Sequence, residues 1–318
     1  MILKLCICAL LSWGLVMYGM PKLIVYMKKI SFNQTASEYS LKEYKEKAKT
    51  PIMGGLMFIA VPVLVTLVFC AGDLKNLDLW ILILTFVGYG AIGFVDDWLI
   101  AVRRNNDGLK PLYKFAAQLV LAIIFYAVYQ SRATLDLTLF GGKTLHIGIL
   151  YAPFILLMFT GSSNAVNLTD GMDGLAAGCT VFALVPYMLF AINGGQTSIA
   201  VFTASLLGAL IGFLHYNVSP AKIFMGDTGA LALGAVLAAL AMLLKRELSL
   251  VVIGGVFVIE TLCVMIQIGA VKTIHKRVFP YTPIHYTFTL KGMSERMTVR
   301  MFWAVGVILA VIGYLAAR

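Results

Sequence analysis

Long apolar runs alternate with short polar stretches along the whole chain. A run of about 20 apolar residues crosses a bilayer as a helix, because backbone groups in lipid must form hydrogen bonds within their own segment. Bounding each run by charged or turn residues predicts ten such helices. The predicted spans are 2–20, 52–71, 79–97, 111–130, 147–163, 174–192, 198–215, 228–244, 249–271 and 299–317. We therefore predict an all-α integral membrane protein that forms a single polytopic domain over residues 1–318.

The composition agrees with this pattern. Of the 318 residues, 60% are hydrophobic and 13% are charged, and the mean hydropathy is +0.90. A soluble domain carries about a quarter charged residues, so this composition excludes a soluble fold. The net charge of +10 would suggest nucleic acid in a soluble protein, but in a membrane protein the placement of the charge matters more. We expect the lipid bilayer as a partner and no nucleic acid.

Basic residues fall mainly on one side of the predicted topology. Most of the 25 Lys and Arg residues lie in the connections that follow the odd-numbered spans. Positive residues mark the cytoplasmic side, which places both termini outside the cytoplasm. One outward connection, residues 134–147, alternates around a Gly-Gly pair and predicts a small β-hairpin.

Five aspartates fall in three clusters, each at the end of an apolar run. The clusters are GFVDD with Asp96 and Asp97, NAVNLTDGMDG with Asp170 and Asp173, and FMGD with Asp227. The topology brings all three clusters to the cytoplasmic side. We therefore expect one site at the water interface, where an enzyme can join a soluble substrate to a lipid.

Asp96 and Asp97 form a carboxylate pair at the end of the third predicted span. Adjacent carboxylates repel unless a cation neutralises them. The pair therefore indicates a metal-bridged phosphate site, a base beside a stabilising acid, or two solvated charges at a helix end. Acids at a helix C-terminus oppose the helix dipole, so a role in stability is poorly supported.

Four polar residues spaced three apart occupy the second cluster. Asn164, Asn167, Asp170 and Asp173 are expected on roughly one face of a helical turn, and Gly171 allows the backbone to approach a ligand closely. Amides can read a base or a sugar, and carboxylates bind imide N–H groups, hydroxyls or metal. The alternative is a polar loop with a helix cap at Asp173.

The third cluster lies where the eighth predicted span begins. Asp227 and Thr228 can cap this helix, and a carboxylate here also suits Mg²⁺, which takes one or two acids together with phosphate oxygens. Phe224 offers a ring that stacks on a base or faces the core. Asn217 precedes the cluster by ten residues.

Basic and polar residues elsewhere on the same side extend the candidate site. Lys47 and Lys114 can attract phosphates or anchor the chain at the membrane surface, and His285 lies in the last cytoplasmic segment. Glu260 is near the middle of the ninth span, where an ionised carboxylate is costly, and Gln267 lies seven residues further on the same helix face. We predict that these two side chains form an inward polar seam that bends or braces the helix.

Six motifs in this order resemble the polyprenyl-phosphate N-acetylhexosamine-1-phosphate transferase superfamily. Within it, they are most similar to the branch that transfers phospho-N-acetylmuramoyl-pentapeptide. The resemblance runs nearly from end to end, and NLTDGMDGLA followed by FMGDTG is its most specific part. The motifs occupy residues 50–55 (TPIMGG), 93–97 (GFVDD), 108–114 (GL…K), 163–176 (SNAVNLTDGMDGLA), 224–229 (FMGDTG) and 283–295 (PIH…LKGMSE).

The resemblance implies a reaction. Members of this branch transfer the phosphosugar pentapeptide from UDP to undecaprenyl phosphate, release UMP, form the first lipid intermediate of peptidoglycan and require Mg²⁺. It implies a bacterial plasma membrane with the site on the cytoplasmic side, and a second copy of the chain as a candidate partner. The alternative is the sister branch that uses UDP-N-acetylglucosamine, which the tail motif argues against. A transporter would place its acids near the midplane.

The resemblance also implies residue roles. Asp96 would engage or deprotonate the lipid phosphate with support from Asp97, Asp227 would bind Mg²⁺, and His285 would complete the catalytic set. The substrate pocket would comprise Lys47, Lys114, Asn164, Asn167, Asp170, Gly171, Asp173, Asn217, Phe224 and Gln267. One departure stands out: the family commonly has three consecutive histidines, whereas Tyr286 and Thr287 follow His285 here.

Overall fold

The computed structural model describes residues 1–30, 50–103 and 108–318. Nine helices in these ranges are long and apolar enough to cross a membrane, and a tenth, α2, is apolar but has 15 residues. The prediction of an all-α membrane protein is therefore confirmed. The helices are α1 Ile2–Lys29, α2 Gly55–Phe69, α3 Leu77–Arg103, α4 Pro111–Tyr129, α5 Tyr151–Thr169, α6 Leu175–Asn193, α7 Thr197–Asn217, α8 Gly226–Leu243, α9 Ser249–Ile253, α10 Gly255–Ile274, α11 His285–Leu290 and α12 Glu295–Ala317.

The predicted hairpin is also confirmed. Strand β1, Asp136–Thr138, pairs antiparallel with β2, Thr144–His146, and Leu137 lies opposite Leu145. Several helix boundaries differ from the sequence prediction, and the largest difference is at α1, which continues to Lys29 rather than ending at residue 20. Helix α3 continues to Arg103 rather than ending at residue 97, and the ninth span is divided at Gly254 into α9 and α10.

Helix α8 lies at the centre of the bundle and packs against α2, α3 and α5. Its sequence is rich in alanine and glycine, and nearly all of its residues are buried. Small side chains let helix backbones approach closely in a membrane protein. At Gly93 of α3, a Cβ atom would overlap the carbonyl group of Asp227. Helices α3 and α8 are therefore in close contact where both carry their aspartates.

Both chain termini lie at the same end of the bundle, away from the aspartates. Lys4, near the N-terminus, lines the same cavity as Gln196 at the start of α7. The Nε2 of Gln196 donates to the carbonyl of Leu243, at the end of α8, at 3.5 Å. Near the C-terminus, Tyr314 Oη accepts a hydrogen bond from Asn193 Nδ2 at 3.2 Å. The common position of the termini agrees with the predicted topology, and the assignment of this end to the outer side stays a prediction from charge.

A buried polar network at this end ties the hairpin to the helices. Tyr151 Oη donates to Glu247 Oε1 at 2.6 Å, and Thr138 N donates to Glu247 Oε2 at 3.4 Å. Lys245 Nζ lies 3.7 Å from Glu247 Oε1 and donates to the carbonyl of Thr134 at 2.5 Å. Glu247 is fully buried, and a buried polar group requires hydrogen-bond partners of this kind.

We expect Tyr151→Phe to lower the stability of the protein by about 1–3 kcal/mol, because Glu247 Oε1 loses its closest donor inside the bundle. Thermal unfolding in detergent measures the change. Tyr113→Phe is the matched control, since Tyr113 is 62% exposed. Equal melting temperatures for the two variants would show that the network does not stabilise the fold.

Candidate active site

The three acidic clusters meet at one end of the bundle, although they lie far apart in the sequence. Asp96 and Asp97 project from the last third of α3, Asp227 lies in the first turn of α8, and Asp170 follows the last residue of α5. Lys114, from the first turn of α4, reaches the same place. The predicted convergence of the acids is thus present in the fold.

Lys114 connects two of the three clusters. Its Nζ forms an ion pair with Asp227 and lies 3.6 Å from Asp96 Oδ2. The other oxygen of Asp96 accepts a hydrogen bond from the backbone N–H of Leu109 at 2.8 Å. The side chain of Asp227 is 23% exposed and that of Asp96 is 8% exposed. The lysine and Asp227 are therefore the members of this group that are most open to a ligand.

Asp97 caps a helix to which it does not belong. Its oxygens accept hydrogen bonds from the backbone N–H of Asp227 at 3.0 Å, the N–H of Thr228 at 3.0 Å and the hydroxyl of Thr228 at 2.6 Å. The N-terminus of α8 thereby gains an acceptor for its free N–H groups and a negative charge near its positive dipole end. The expectation that Asp227 and Thr228 cap α8 themselves is wrong, and so is the argument against a stability role for Asp97.

Asp170 lies among other carboxylates at the end of α5. Burial, together with the nearby charges of Asp227, Asp97 and Asp173, raises the pKa of Asp170 well above its ordinary value. Because α5 ends at Thr169, the expectation that Asp170 and Asp173 share a helix face with the asparagines is wrong. Several acids around Lys114 favour a bound cation or a cation-bound diphosphate at this place.

The donor set fits Mg²⁺. Within the described ranges, no three His, Cys, Asp or Glu side chains form a ready metal site. Mg²⁺ is commonly held by one or two carboxylates and completes its shell with phosphate oxygens and water. Asp227, which is partly exposed, with Asp170 nearby, meets this requirement.

Asp173 and Asn217 hold the loops of the site together. Asp173 Oδ2 accepts a hydrogen bond from the N–H of Ala221 at 3.0 Å. Asn217 accepts from the N–H of Gly174 at 3.1 Å and donates to the carbonyl of Ile223 at 3.0 Å. Both side chains are almost fully buried. Their contacts with this chain's own backbone are structural, and their role as substrate ligands stays a prediction.

Helix α5 contributes the two asparagines from its last turns. Asn164 Nδ2 donates to Gln118 Oε1 at 2.9 Å and to the carbonyl of Thr160 at 2.8 Å, whereas Asn167 is partly exposed. Gln118 was not among the predicted site residues. The sequence could have indicated Gln118, because it is a polar side chain inside an apolar span. In the structure this side chain is 1% exposed.

Phe224 lies at the edge of the site, beside the backbone of residues 51–54. Its N–H donates to the carbonyl of Pro51 at 2.9 Å, and its carbonyl accepts from Gly54 at 2.8 Å. Its half-buried side chain packs on the cluster formed by Met27, Ile52 and Met53. Lys47, the remaining predicted phosphate ligand, lies outside the described residues.

The predicted inward polar seam of α10, Glu260 and Gln267, is present, and both side chains accept hydrogen bonds from the connection that follows α10. Gln267 Oε1 accepts hydrogen bonds from the N–H groups of Val278 at 3.1 Å and Phe279 at 3.0 Å. Glu260 contacts Ile284 and His285 in the same connection. His285 is fully buried, so its side chain is not open to a ligand in this structure, and its catalytic role stays a prediction.

Tyr286 occupies the position of the second family histidine. Its hydroxyl donates to the carbonyl of Gly171 at 2.9 Å, and its pKa is raised by burial and the nearby charges of Asp170 and other groups. The tyrosine thus contacts the loop between Asp170 and Asp173. A histidine is not required for that contact.

A group of carboxylates around Lys114, at one end of a bundle of apolar helices, is typical of a membrane-embedded enzyme site. Residues 79–245 match the family described as Glycosyl transferase family 4, and this segment contains Asp96, Lys114, Asp170 and Asp227. The chain belongs to this family.

Full-length relatives extend the comparison beyond that segment. The chain is 44% identical over 297 residues, 92% of this chain and 91% of the relative, to a phospho-N-acetylmuramoyl-pentapeptide-transferase of Geobacillus kaustophilus (strain HTA426). It is 41% identical over 310 residues, 96% of this chain and 97% of the relative, to the protein of that name from Staphylococcus aureus (strain bovine RF122 / ET3-1).

Proposed function

We propose that this protein transfers phospho-N-acetylmuramoyl-pentapeptide from UDP to undecaprenyl phosphate. The products are UMP and the first lipid intermediate of peptidoglycan synthesis. The observation that carries the proposal is the placement of Lys114 between Asp96 and Asp227 at one end of a membrane bundle. The near full-length relatives of that name support the choice of substrate over UDP-N-acetylglucosamine.

The position of the site suits a reaction between a lipid and a soluble nucleotide sugar. One phosphate arrives from the membrane and the other from water, so the acids and Lys114 must lie near the interface between them. An oxygen of the lipid phosphate forms a bond to the phosphorus attached to the sugar. The bond from that phosphorus to the bridging oxygen breaks, and the electron pair leaves with UMP.

The barrier to this exchange is mainly one of position and charge. A phosphoanhydride is broken and another is formed, so no further nucleotide is needed, and catalysis rests on alignment and electrostatic stabilisation. Lys114 is a compact cation suited to phosphoryl oxygens. Asp96 lies beside it, where it can accept a proton from the lipid phosphate. The lipid phosphate is already anionic near neutral pH, so direct attack does not require a strong base.

Mg²⁺ is part of the proposal. Asp227, with Asp170 close by, would hold the ion, as the carboxylate-rich surroundings of Asp170 support. The bound ion would neutralise the diphosphate and stabilise UMP as it leaves. Asp97 would act by holding the start of α8, and therefore Asp227, in place.

We also propose a bacterial plasma membrane with the site facing the cytoplasm. The basic connections after the odd-numbered predicted spans support this orientation. A homodimer stays a prediction from the family resemblance.

The test is UMP release by purified protein in detergent. We expect release from UDP-N-acetylmuramoyl-pentapeptide only when undecaprenyl phosphate and Mg²⁺ are both present, and no release after chelation with EDTA. UDP-N-acetylglucosamine is the control donor and should give no product. Equal or faster turnover of the control donor would show that the protein catalyses the sister reaction instead. Release of UMP without the lipid phosphate would contradict the proposed acceptor.

A further inference from the structure

Each of the two adjacent aspartates of α3 lies against a glycine from another segment of the chain. A Cβ atom on Gly108 would lie 2.6–2.9 Å from the carboxyl atoms of Asp96, and a Cβ atom on Gly226 would overlap the carboxyl group of Asp97. Real Cβ atoms essentially never come within 3.0 Å of such a neighbour. The two carboxyl groups therefore occupy space that any other residue at these two positions would fill.

The residue after each glycine donates its backbone N–H to the same carboxyl group. Leu109 N donates to Asp96 Oδ1 at 2.8 Å, and Asp227 N donates to Asp97 Oδ1 at 3.0 Å. A glycine followed by a donor thus forms a seat for a carboxyl group, and the two seats lie far apart in the sequence. Adjacent carboxylates repel unless their charges are stabilised, and each member of this pair has an N–H donor of its own.

The seat of Asp96 determines which of its oxygens faces the site. Oδ1 accepts the hydrogen bond from Leu109, and Oδ2 lies 3.6 Å from Lys114 Nζ. Asp96 is almost fully buried, and α3 is in close contact with α8 at Gly93, one turn earlier. A side chain at position 108 would therefore displace either the carboxyl group or the backbone that holds it. Both displacements change the place of Oδ2 beside Lys114.

We propose that Gly108 is a positioning residue: because it has no side chain, the Gly108–Leu109 peptide can hold Oδ1 of Asp96 and direct Oδ2 to Lys114 and to the phosphates that react there. The seat itself follows from contacts within this chain. Its effect on turnover rests on the proposed transferase function, in which Asp96 acts beside Lys114. Gly226 makes room for Asp97 in the same way, but its φ of 69° would strain any replacement, so Gly108 is the better position for a test.

Gly108→Ala is the decisive variant. We expect kcat for UMP release to fall about 10- to 100-fold, because a misplacement of about 1 Å in an active site has an effect of this size. KM for the UDP substrate should stay unchanged, since Asp96 is proposed to act on the lipid phosphate. Gly72→Ala is the matched control and should behave as wild type. Gly72 is exposed in the turn after α2, and a Cβ atom there would meet nothing within 4 Å.

A double-mutant cycle tests the contact without any assay of turnover. Gly108→Ala alone should lower the melting temperature in detergent. In an Asp96→Ala background, where the carboxyl group is gone, the same change should lower it less or not at all, because the effects of changes at contacting residues do not add. Equal effects of Gly108→Ala in the two backgrounds would overturn the proposal.

The N–H donor of the seat is tested by a separate variant, so the proposal does not depend on the folding of Gly108→Ala. Incorporation of the α-hydroxy analogue of leucine at position 109 replaces the backbone N–H by an ester oxygen and keeps the side chain. We expect a similar fall in kcat. Wild-type turnover in the ester variant, or in folded Gly108→Ala, would contradict the positioning role. An inactive wild type whose melting temperatures show the expected coupling would refute the transferase function alone.

Discussion

Asp227→Asn is expected to lower turnover by about 10²- to 10³-fold and to leave the fold intact. The carboxylate of Asp227 is the most exposed of those that contact Lys114, so it is available to a cation or a phosphate rather than committed to the fold. Loss of one group that stabilises developing charge typically costs this much. The initial rate of UMP release and the melting temperature are the measurements.

Asp78→Asn is the control for this variant. Asp78 forms an exposed ion pair with Arg132 at 3.0 Å, at the opposite end of α3, and exposed pairs contribute little. We expect wild-type turnover from it. Wild-type turnover in Asp227→Asn would show that the carboxylate of Asp227 is not needed for the reaction, and it would contradict the proposal that Asp227 binds the metal.

Asp97→Asn should lose both turnover and stability. Its carboxylate accepts hydrogen bonds from two backbone N–H groups and one hydroxyl at the start of α8. An asparagine has one acceptor oxygen, and its NH₂ group faces a backbone N–H, so a buried donor is left unsatisfied. Charge-assisted bonds are the strong ones, and we expect a loss of about 3 kcal/mol.

Denaturant unfolding of Asp97→Asn and Asp227→Asn side by side separates the two roles. The first variant should unfold at a lower denaturant concentration than wild type, and the second at the same concentration. If Asp97→Asn is inactive but as stable as wild type, then Asp97 takes part in the reaction itself and does not act through the helix that it caps.

Much of the fold was predictable because its driving force is local. An apolar run of sufficient length forms a helix in lipid whatever its neighbours are, so the spans were found from the pattern alone. The hairpin was found from its own local pattern, an alternation around a Gly-Gly pair. The convergence of the three acidic clusters followed from alternation of the spans. Boundaries were less certain where an apolar helix continues past a charged pair, as α3 does beyond Asp97.

The roles of individual site residues were harder to predict, because each depends on a partner that is distant in the sequence. Asn217 and Asp173 are predicted substrate ligands, and the sequence did not indicate the hydrogen bonds that they also form with backbone groups of adjacent loops. Gln118 was not expected, and it supports Asn164 from another helix. Periodicity describes one helix at a time and carries no information about which side chain faces it.

The amino-acid pattern by itself determined that this chain crosses the membrane many times, that its acids collect at one end, and which family it belongs to. Only the tertiary structure decided that Asp97 caps the helix that carries Asp227, and that Glu260 accepts a hydrogen bond from the connection that follows its own helix. The physical reason is that a charge acts on whatever lies within a few ångströms. For these two acids, those neighbours are more than 20 residues away along the chain.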